Sequence, residues 1–498
     1  MGIYKKMKFL FVCMGAENLA AEQISAILKQ KGHEVDLVFD PALFDDKTYF
    51  YIPWMHKLLN NRKKLIKRIV DSKADIIGFT VFTDNYKWAC DVAKEVRLFI
   101  PTPIIFGGIY PTSCPDEVME HDFVDMVCVG EGEEAVPELV ENLDLKKPID
   151  NIWYKKDGQI IKGGSKPLVD LETLPYYDKT LFEKEIPMNR VYLTVASKGC
   201  PCCCSFCSQN FLKKFNKCLD MRRRSVDNVI KELKLAKAKY GYKEVDFKDN
   251  IFTTDKKWTL EFLKRYKEEI GVPYRALSHV LFMDKDIAQA MKDSGCHRVQ
   301  FGIQSMHEET RKKHLLRFET NEQIKKALRA CDEVGLYYSC DHMFGLPGEK
   351  EEHQVMATKF YKSLKCCTRV TCFWTTFFPK TALVDKAQEM GIINEEDIKK
   401  INKSESGYYY AEGSINDKEL KKTFRSYQML FRIMPILSER MIDWILKRRW
   451  HRYLYLIPQK IPLLLIDVIV SFAKWDNSAF QYMHYYWLQI KKKVMRQW

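Results

Sequence analysis

Val191-Tyr192-Leu193-Thr194-Val195-Ala196 runs straight into Ser197-Lys198-Gly199-Cys200-Pro201-Cys202-Cys203-Cys204-Ser205-Phe206-Cys207. The first six residues are β-branched and apolar, which reads as a strand. Five of the chain's sixteen cysteines fall in the loop that follows. Downstream, Glu244–Phe247, Arg298–Gly302, Ser339–Phe344 and a run near Arg369–Phe377 repeat the strand signal. The helical stretches Val226–Lys239, Lys256–Glu269 and Asn321–Val334 lie between them. Such repeats imply right-handed crossovers and parallel pairing, so a partial or full (β/α) barrel is expected over 191–405. The cysteine loop then lies at the carboxyl end of the first strand, on the face where barrels carry their chemistry.

Upstream, short apolar strands alternate with helices: Lys8–Val12, Glu34–Phe39, Ala74–Phe79, Pro103–Phe106 and Met126–Val129, with helices over Ala20–Lys31, Tyr86–Leu98 and Ala135–Leu143. This pattern predicts a Rossmann-like parallel sheet over 1–145, whose ligand binds beyond the carboxyl ends of its strands. A linker is expected over 146–190, with a hairpin at Asn151–Lys162 that turns at Lys156-Asp157-Gly158. Residues 406–498 read as a helical, basic and aromatic C-terminal domain. The fold class is therefore α/β with a helical end.

The chain is 498 residues long, 46% apolar and 29% charged, a folded rather than a disordered composition. Met1–Leu10 carries lysines without an apolar stretch long enough for a secretory signal. A reducing cytoplasm is expected, and with it free thiols or metal ligands rather than disulfides. The formal charge is +14, of which fifteen Lys/Arg against four Asp/Glu beyond residue 420 contribute +11. Basicity therefore belongs to the C-terminal end.

Cys200, Cys204 and Cys207 follow the spacing C-x3-C-x2-C, three thiolates in one loop, enough for three irons of a cubane cluster. No fourth ligand is at hand, so one iron stays open to a small molecule. Zinc is the competing metal; it would need a second knuckle, for which Cys366 and Cys367 are the candidates. Cys203-x3-Cys207 is an alternative register, but only the Cys200 set meets the full spacing with an aromatic just before its last cysteine.

This loop resembles the signature of the radical S-adenosylmethionine superfamily. The resemblance implies that the open iron binds S-adenosylmethionine, that Phe206 lies against the adenine, and that reduction yields a 5′-deoxyadenosyl radical. Phe247–Phe252 resembles the segment that meets the methionyl amino group; Lys248 departs from the usual acid pair and leaves Asp249 as the contact. Phe301–Ser305, with Gln304 and Ser305, and Arg317 further on resemble the part that meets the ribose and the methionyl carboxylate, where a guanidinium can bond in bidentate fashion. Phe344–Glu349, with Gly345, resembles a late-strand turn near the adenine.

The first domain resembles the cobalamin-binding domain fused to one branch of that superfamily. Glu17–Leu19, Gly32–Val35, the loop Gly107-Gly108-Ile109-Tyr110-Pro111-Thr112 and the loop Gly130-Glu131-Gly132-Glu133 carry the likeness. Many relatives have His where this chain has Tyr110, and no D-x-H-x-x-G motif is present. Asp341-His342-Met343 has the wrong spacing and reads as a barrel strand. The implied cofactors are a 4Fe–4S cluster, S-adenosylmethionine and a cobalamin without a protein His ligand.

The implied reaction is methylation of an unactivated carbon, through hydrogen abstraction and methylcobalamin. Cyclisation with the same cofactors is the alternative, and a non-catalytic cobalamin or redox sensor is an alternative of another class. A sensor would more simply have four cysteines. The expected partners are a small-molecule or lipid-like substrate and an external electron donor such as flavodoxin or ferredoxin, with no nucleic acid. In the C-terminal end the apolar run Ile461–Ala473 is interrupted by Pro462 and Asp467, too short to span a bilayer. That end reads either as a cap over the active site or as a contact with a membrane surface, which would make the cytoplasmic protein peripheral to the membrane.

Overall fold

A computed structural model of the chain describes residues 5–46, 50–218, 220–405, 417–457, 460–473 and 478–495. In the first sheet, β1 (Lys8–Met14), β2 (Glu34–Asp40), β3 (Ile76–Thr80), β4 (Ile104–Gly107) and β5 (Met126–Cys128) pair in parallel in the order β2-β1-β3-β4-β5. Alternate residues of β1 serve opposite cores: Leu10 and Val12 pack on one face, Phe9, Phe11 and Cys13 on the other. A sheet buried on both faces needs helices on both, which is the doubly wound, Rossmann-like arrangement.

The hairpin expected in the linker belongs to this sheet. Its strand β6 (Ile152–Lys156) adds antiparallel to β5, with Tyr154 opposite Met126, and β7 (Gln159–Lys162) adds antiparallel to β6. Ile152 and Tyr154 are buried while Trp153 and Lys155 are not. That alternation gives the pair an apolar face with which to cover the edge of β5.

The second sheet holds six parallel strands in sequence order: β8 (Val191–Thr194), β9 (Glu244–Phe247), β10 (Tyr274–Ser278), β11 (Cys296–Gln304), β12 (Tyr338–Phe344) and β13 (Cys367–Trp374). β8 and β13 do not pair, so the barrel is partial. The sequence reading lacks β10, a five-residue run interrupted by Arg275. Tyr274, Ala276 and Ser278 face the buried side, while Arg275 turns to the concave side and pairs with Asp246 of β9 at 2.7 Å. On that side His297 of β11 reaches across β10 to Glu244 of β9 at 3.0 Å, and Gln300 donates to Asp341 at 2.8 Å. The barrel interior is therefore polar.

The C-terminal helices close the open edge and the foot of the barrel. Lys418–Ile433 lies along β13: Gln428 accepts from Trp374 at 3.2 Å, and Phe431 stacks on Phe344 of β12 at 5.6 Å. The helix Ser478–Val494 sends Gln481 to Glu244 at the start of β9 and Tyr485 to the Gly15 carbonyl at the end of β1. A cap over the active site is one expectation; Lys418–Ile433 and Gln481 lie at the barrel's edge and foot, while Tyr485 reaches the carboxyl edge of the first sheet. Residues 406–416 of that block lie outside the described residues. Among the described residues, no helix is long and apolar enough to cross a membrane.

Candidate active site

The cysteine loop leaves β8 under restraint from both sides. Ala196 N (2.9 Å) and Ser197 Oγ donate to Asp249, which follows β9 and is fully buried. Burial raises the Asp249 carboxyl above its ordinary range, against these hydrogen bonds. A two-residue ladder then pairs Ser197–Lys198 with Arg222–Arg223, and Asn250 donates to the Gly199 carbonyl at 2.8 Å. On the far side Ser205 N donates to Leu315 O, and Leu383 N to Ser205 O, each at 2.9 Å. Lys213 Nζ reaches the carbonyls of Pro201 (3.1 Å) and Cys202 (3.3 Å). Cys200, Cys202, Cys204 and Cys207 are half-buried, and Cys203 faces solvent.

Among the described residues, no three metal-ligating side chains converge as on a single ion. A cubane does not demand this, because each thiolate takes a different iron. Burial pushes the Cys207 thiol up to about 11, so its ligating form needs positive charge nearby. A cluster supplies that charge, and Arg317 adds to it at 3.8 Å from Cys204 Sγ. The donor set fits. Cys366 and Cys367 are at the amino end of β13, whose eight residues span about 25 Å. They are at the opposite end of the barrel from the cysteine loop and cannot form a second knuckle with it.

Arg317 is buried at the centre of the site. Its Nε donates to Glu319 (2.6 Å), and its Nη2 to Gly302 O (2.7 Å) and His279 Nε2 (2.8 Å). Burial, and then the Arg317 charge, push His279 down to about 3, so the ring is neutral and can accept. Of its five N–H donors, Nε and both of Nη2 are taken by these partners and one of Nη1 points at Cys204 Sγ, so a single Nη1 hydrogen of Arg317 remains for a ligand. The bidentate contact expected from the sequence is reduced to that hydrogen. Gln304 adopts φ +65° at the β-bulge where the β11–β12 register shifts, and Ser305 is buried beside it. Phe206 packs with Leu315, Met343 and Leu346, next to the Gly345 turn. Glu349 holds that turn by accepting from Gly345 N (2.7 Å) and Leu346 N (3.1 Å), and burial raises its carboxyl to about 8. Asp341, on the concave wall, is raised by burial to about 6. Glu319 and His279 carried no signal of their own in the sequence, and Asp341 reads there only as part of a barrel strand, which it is.

At the carboxyl edge of the first sheet, Gly108 has φ +120°, and a Cβ there would come within 2.5 Å of Val81 O. The close approach that this glycine permits is made by the chain's own β3 loop. Thr112 Oγ1 donates to Gly108 O (2.7 Å) and accepts from Gly130 N (3.0 Å), tying the two glycine loops together. Tyr110 and Pro111 are buried, and the Tyr110 hydroxyl donates to Asn402 O of the helix Glu395–Asn402. A Cβ at Gly132 would come within 3.1 Å of Ile24, whereas one at Gly107 would meet Cys128 alone, at 3.5 Å, and one at Gly15 nothing within 4 Å. Their carbonyls accept from Tyr485 Oη (3.1 Å at Gly15) and Val81 N (2.7 Å at Gly107), so the free space at these two glycines is that of the missing side chains, which suits a flat ligand.

Comparison with known proteins matches residues 194–360 to the family model of the radical SAM superfamily and residues 15–140 to that of the B12 binding domain. An uncharacterized methyltransferase of Pyrococcus horikoshii is 32% identical over 356 residues, 68% of this chain and 72% of that protein. The chain belongs to the radical SAM superfamily and carries a B12-binding domain. The anaerobic magnesium-protoporphyrin IX monomethyl ester cyclase of Rubrivivax gelatinosus is 27% identical over 388 residues, 74% of this chain and 65% of the cyclase. Among solved structures, the cobalamin-dependent S-adenosylmethionine radical enzyme OxsB, with aqua-cobalamin and S-adenosylmethionine bound, has the same fold. Its TM-score is 0.68 at 14% identity, over 99% of this chain and 80% of OxsB.

The B12-binding and radical SAM domains are joined by ion pairs at the site itself. Glu133, 6% exposed, pairs with Lys198, two residues before Cys200. Glu131 pairs with both terminal nitrogens of Arg222, at 3.1 Å for one of them. Burial opposes ionisation of Glu133, but the Lys198 charge and hydrogen bond overcome it and hold the carboxyl below its ordinary range. Phe215, eight residues past Cys207, approaches Gly130 within 3.2 Å of where a Cβ would stand. The last loop of the B12-binding sheet thus rests on both flanks of the cysteine loop.

Proposed function

We propose that this radical SAM enzyme is a cobalamin-dependent methyltransferase acting on an unactivated carbon. The observation that carries the reading is the double ion pair between the Gly130–Glu133 loop and the two sides of the cysteine loop. It holds the edge of the B12-binding sheet against the barrel mouth, where a substrate could reach both. Cys200, Cys204 and Cys207 would hold a 4Fe–4S cluster, and the glycine loops Gly107–Thr112 and Gly130–Gly132 the corrin. When bound, the cluster supplies the electron that cleaves S-adenosylmethionine, and the cobalamin carries the methyl group.

The chain's own residues orient and exclude. Arg317 offers its remaining Nη1 hydrogen to the methionyl carboxylate while Glu319, Gly302, His279 and Cys204 hold the rest of the guanidinium. Gln304 and Ser305 frame the ribose and methionyl side, Asp249, whose two oxygens are taken by Ala196 N and Ser197 Oγ, holds the start of the cysteine loop instead of meeting the ligand, and Phe206 with the Gly345 turn forms the adenine wall. Gln300 and Asp341 present polar groups deeper in the barrel, where part of the substrate would be recognised. An electron donor such as flavodoxin or ferredoxin would serve the cluster, and we place the reaction in the cytoplasm.

Cyclisation is the second reading, favoured by the 27% identity to the Rubrivivax cyclase. Anaerobically reconstituted enzyme, given reductant, S-adenosylmethionine and a candidate substrate, distinguishes the two. Methyl transfer yields 5′-deoxyadenosine together with S-adenosylhomocysteine. Deoxyadenosine alone, with a cyclised product, would replace the first reading by the second.

A further inference from the structure

Beyond the barrel, the segment 433–457 presents an apolar face that nothing in the reaction uses. The helix Glu439–Lys447 is capped by Ser438 and turns Ile442 inward. Its opposite side carries Met441 and Trp444. Trp444 meets Trp450 edge to face at 4.5 Å. Trp450 and Tyr453, with Ile433, Ile445 and Leu454, line an open hollow of about 310 Å³. Met441, Trp444, Trp450, Tyr453 and Leu456 are between 47% and 64% exposed. At about 100 Å² for each half-exposed large side chain, that is roughly 500 Å² of apolar surface, at the upper end for a monomer's largest patch.

Charge identifies the occupant. Arg440, Lys447, Arg448 and Arg449 are all exposed around this face. Of the two acids on the helix, Asp443 is paired with Lys362 at 2.5 Å, leaving Glu439 against four cations. A symmetric contact between two copies would set like charge against like charge. Trp and Tyr flanked by Lys and Arg suit the boundary between lipid headgroups and acyl chains.

We propose that this face docks the enzyme on an anionic lipid bilayer. The patch is fixed to the barrel, since Phe431 of the preceding helix packs on Phe344, just before the Gly345 turn. The surface therefore holds the whole catalytic body at a set orientation to the membrane. The inference stands whichever reaction the barrel performs.

Flotation of the full-length protein with phosphatidylglycerol vesicles, and with phosphatidylcholine vesicles as control, tests it. Binding is expected to the first alone and to weaken with salt. R448Q/R449Q should lower the partition coefficient roughly thirtyfold, and W444S/W450S should abolish flotation with circular dichroism and iron loading unchanged. The proposal is overturned if phosphatidylglycerol vesicles do not float the protein, or if both variants float as the parent does. A dimer in light scattering that W444S/W450S dissociates would equally overturn it, by assigning the face to a second copy.

Discussion

Replacing Lys198 by methionine leaves the Glu133 carboxylate buried and without its cation. Removing one member of a buried ion pair costs about 3–5 kcal/mol, because the remaining charge is uncompensated. Lys198 is 27% exposed and Glu133 6%, so the low end, about 3 kcal/mol, applies. The Arg222–Glu131 pair keeps the domains in register, and the cost appears as local opening rather than global unfolding. Three kcal/mol corresponds to roughly a hundredfold faster hydrogen exchange for amides of the Gly130–Glu133 loop and of Lys198–Gly199. K198M/E133Q removes both charges and should exchange within about tenfold of the parent. In K198M the ratio of S-adenosylhomocysteine to 5′-deoxyadenosine should also fall, since the two cofactor sites would no longer be held together. Exchange in K198M within threefold of the parent, or a double variant that opens as readily as the single, would show that this ion pair does not hold the loop closed.

Alanine at Cys200, Cys204 or Cys207 should each remove most of the iron bound after anaerobic reconstitution, whereas C203A keeps it; iron analysis and visible absorbance check this. Glu349 is raised from its ordinary value near 4.5 to about 8, so the native state holds a proton that the unfolded state has lost between those values. Stability should therefore decline as pH rises from about 4.5 to 8, and E349Q, neutral throughout, should flatten that dependence in thermal melts at stepped pH. Y110F removes the donor to Asn402 O and should cost about 1–2 kcal/mol by leaving that carbonyl unpaired, measured as a lower melting temperature.

Local patterns could be read from the chain; long-range pairs could not. The cysteine loop was legible because its three thiols lie within eight residues, and the strands of both sheets because their apolar runs are short and bounded by helices. Tyr274–Ser278 escaped because Arg275 breaks a five-residue run, and its partner Asp246 lies on another strand. The hairpin was legible as a hairpin, but its docking on β5 depends on an edge that only the folded sheet creates. Lys198–Glu133 and Arg222–Glu131 span 65 and 91 residues, and no local spacing announces either. Arg317 was found through its resemblance to a family segment, yet its partners Glu319 and His279, which take three of its donors together with Gly302, required the structure. Gly108 was legible as part of a glycine loop, but that Val81 makes the close approach its missing side chain permits required the structure.

Everything proposed for the site depends on three thiolates holding a cluster whose fourth iron is open to S-adenosylmethionine. Electron paramagnetic resonance of the reduced, anaerobically reconstituted protein, recorded before and after adding S-adenosylmethionine, tests it most directly. A cluster signal that shifts when the compound is added is the expected result. Bound zinc in place of iron, or a cluster signal indifferent to S-adenosylmethionine, would contradict it.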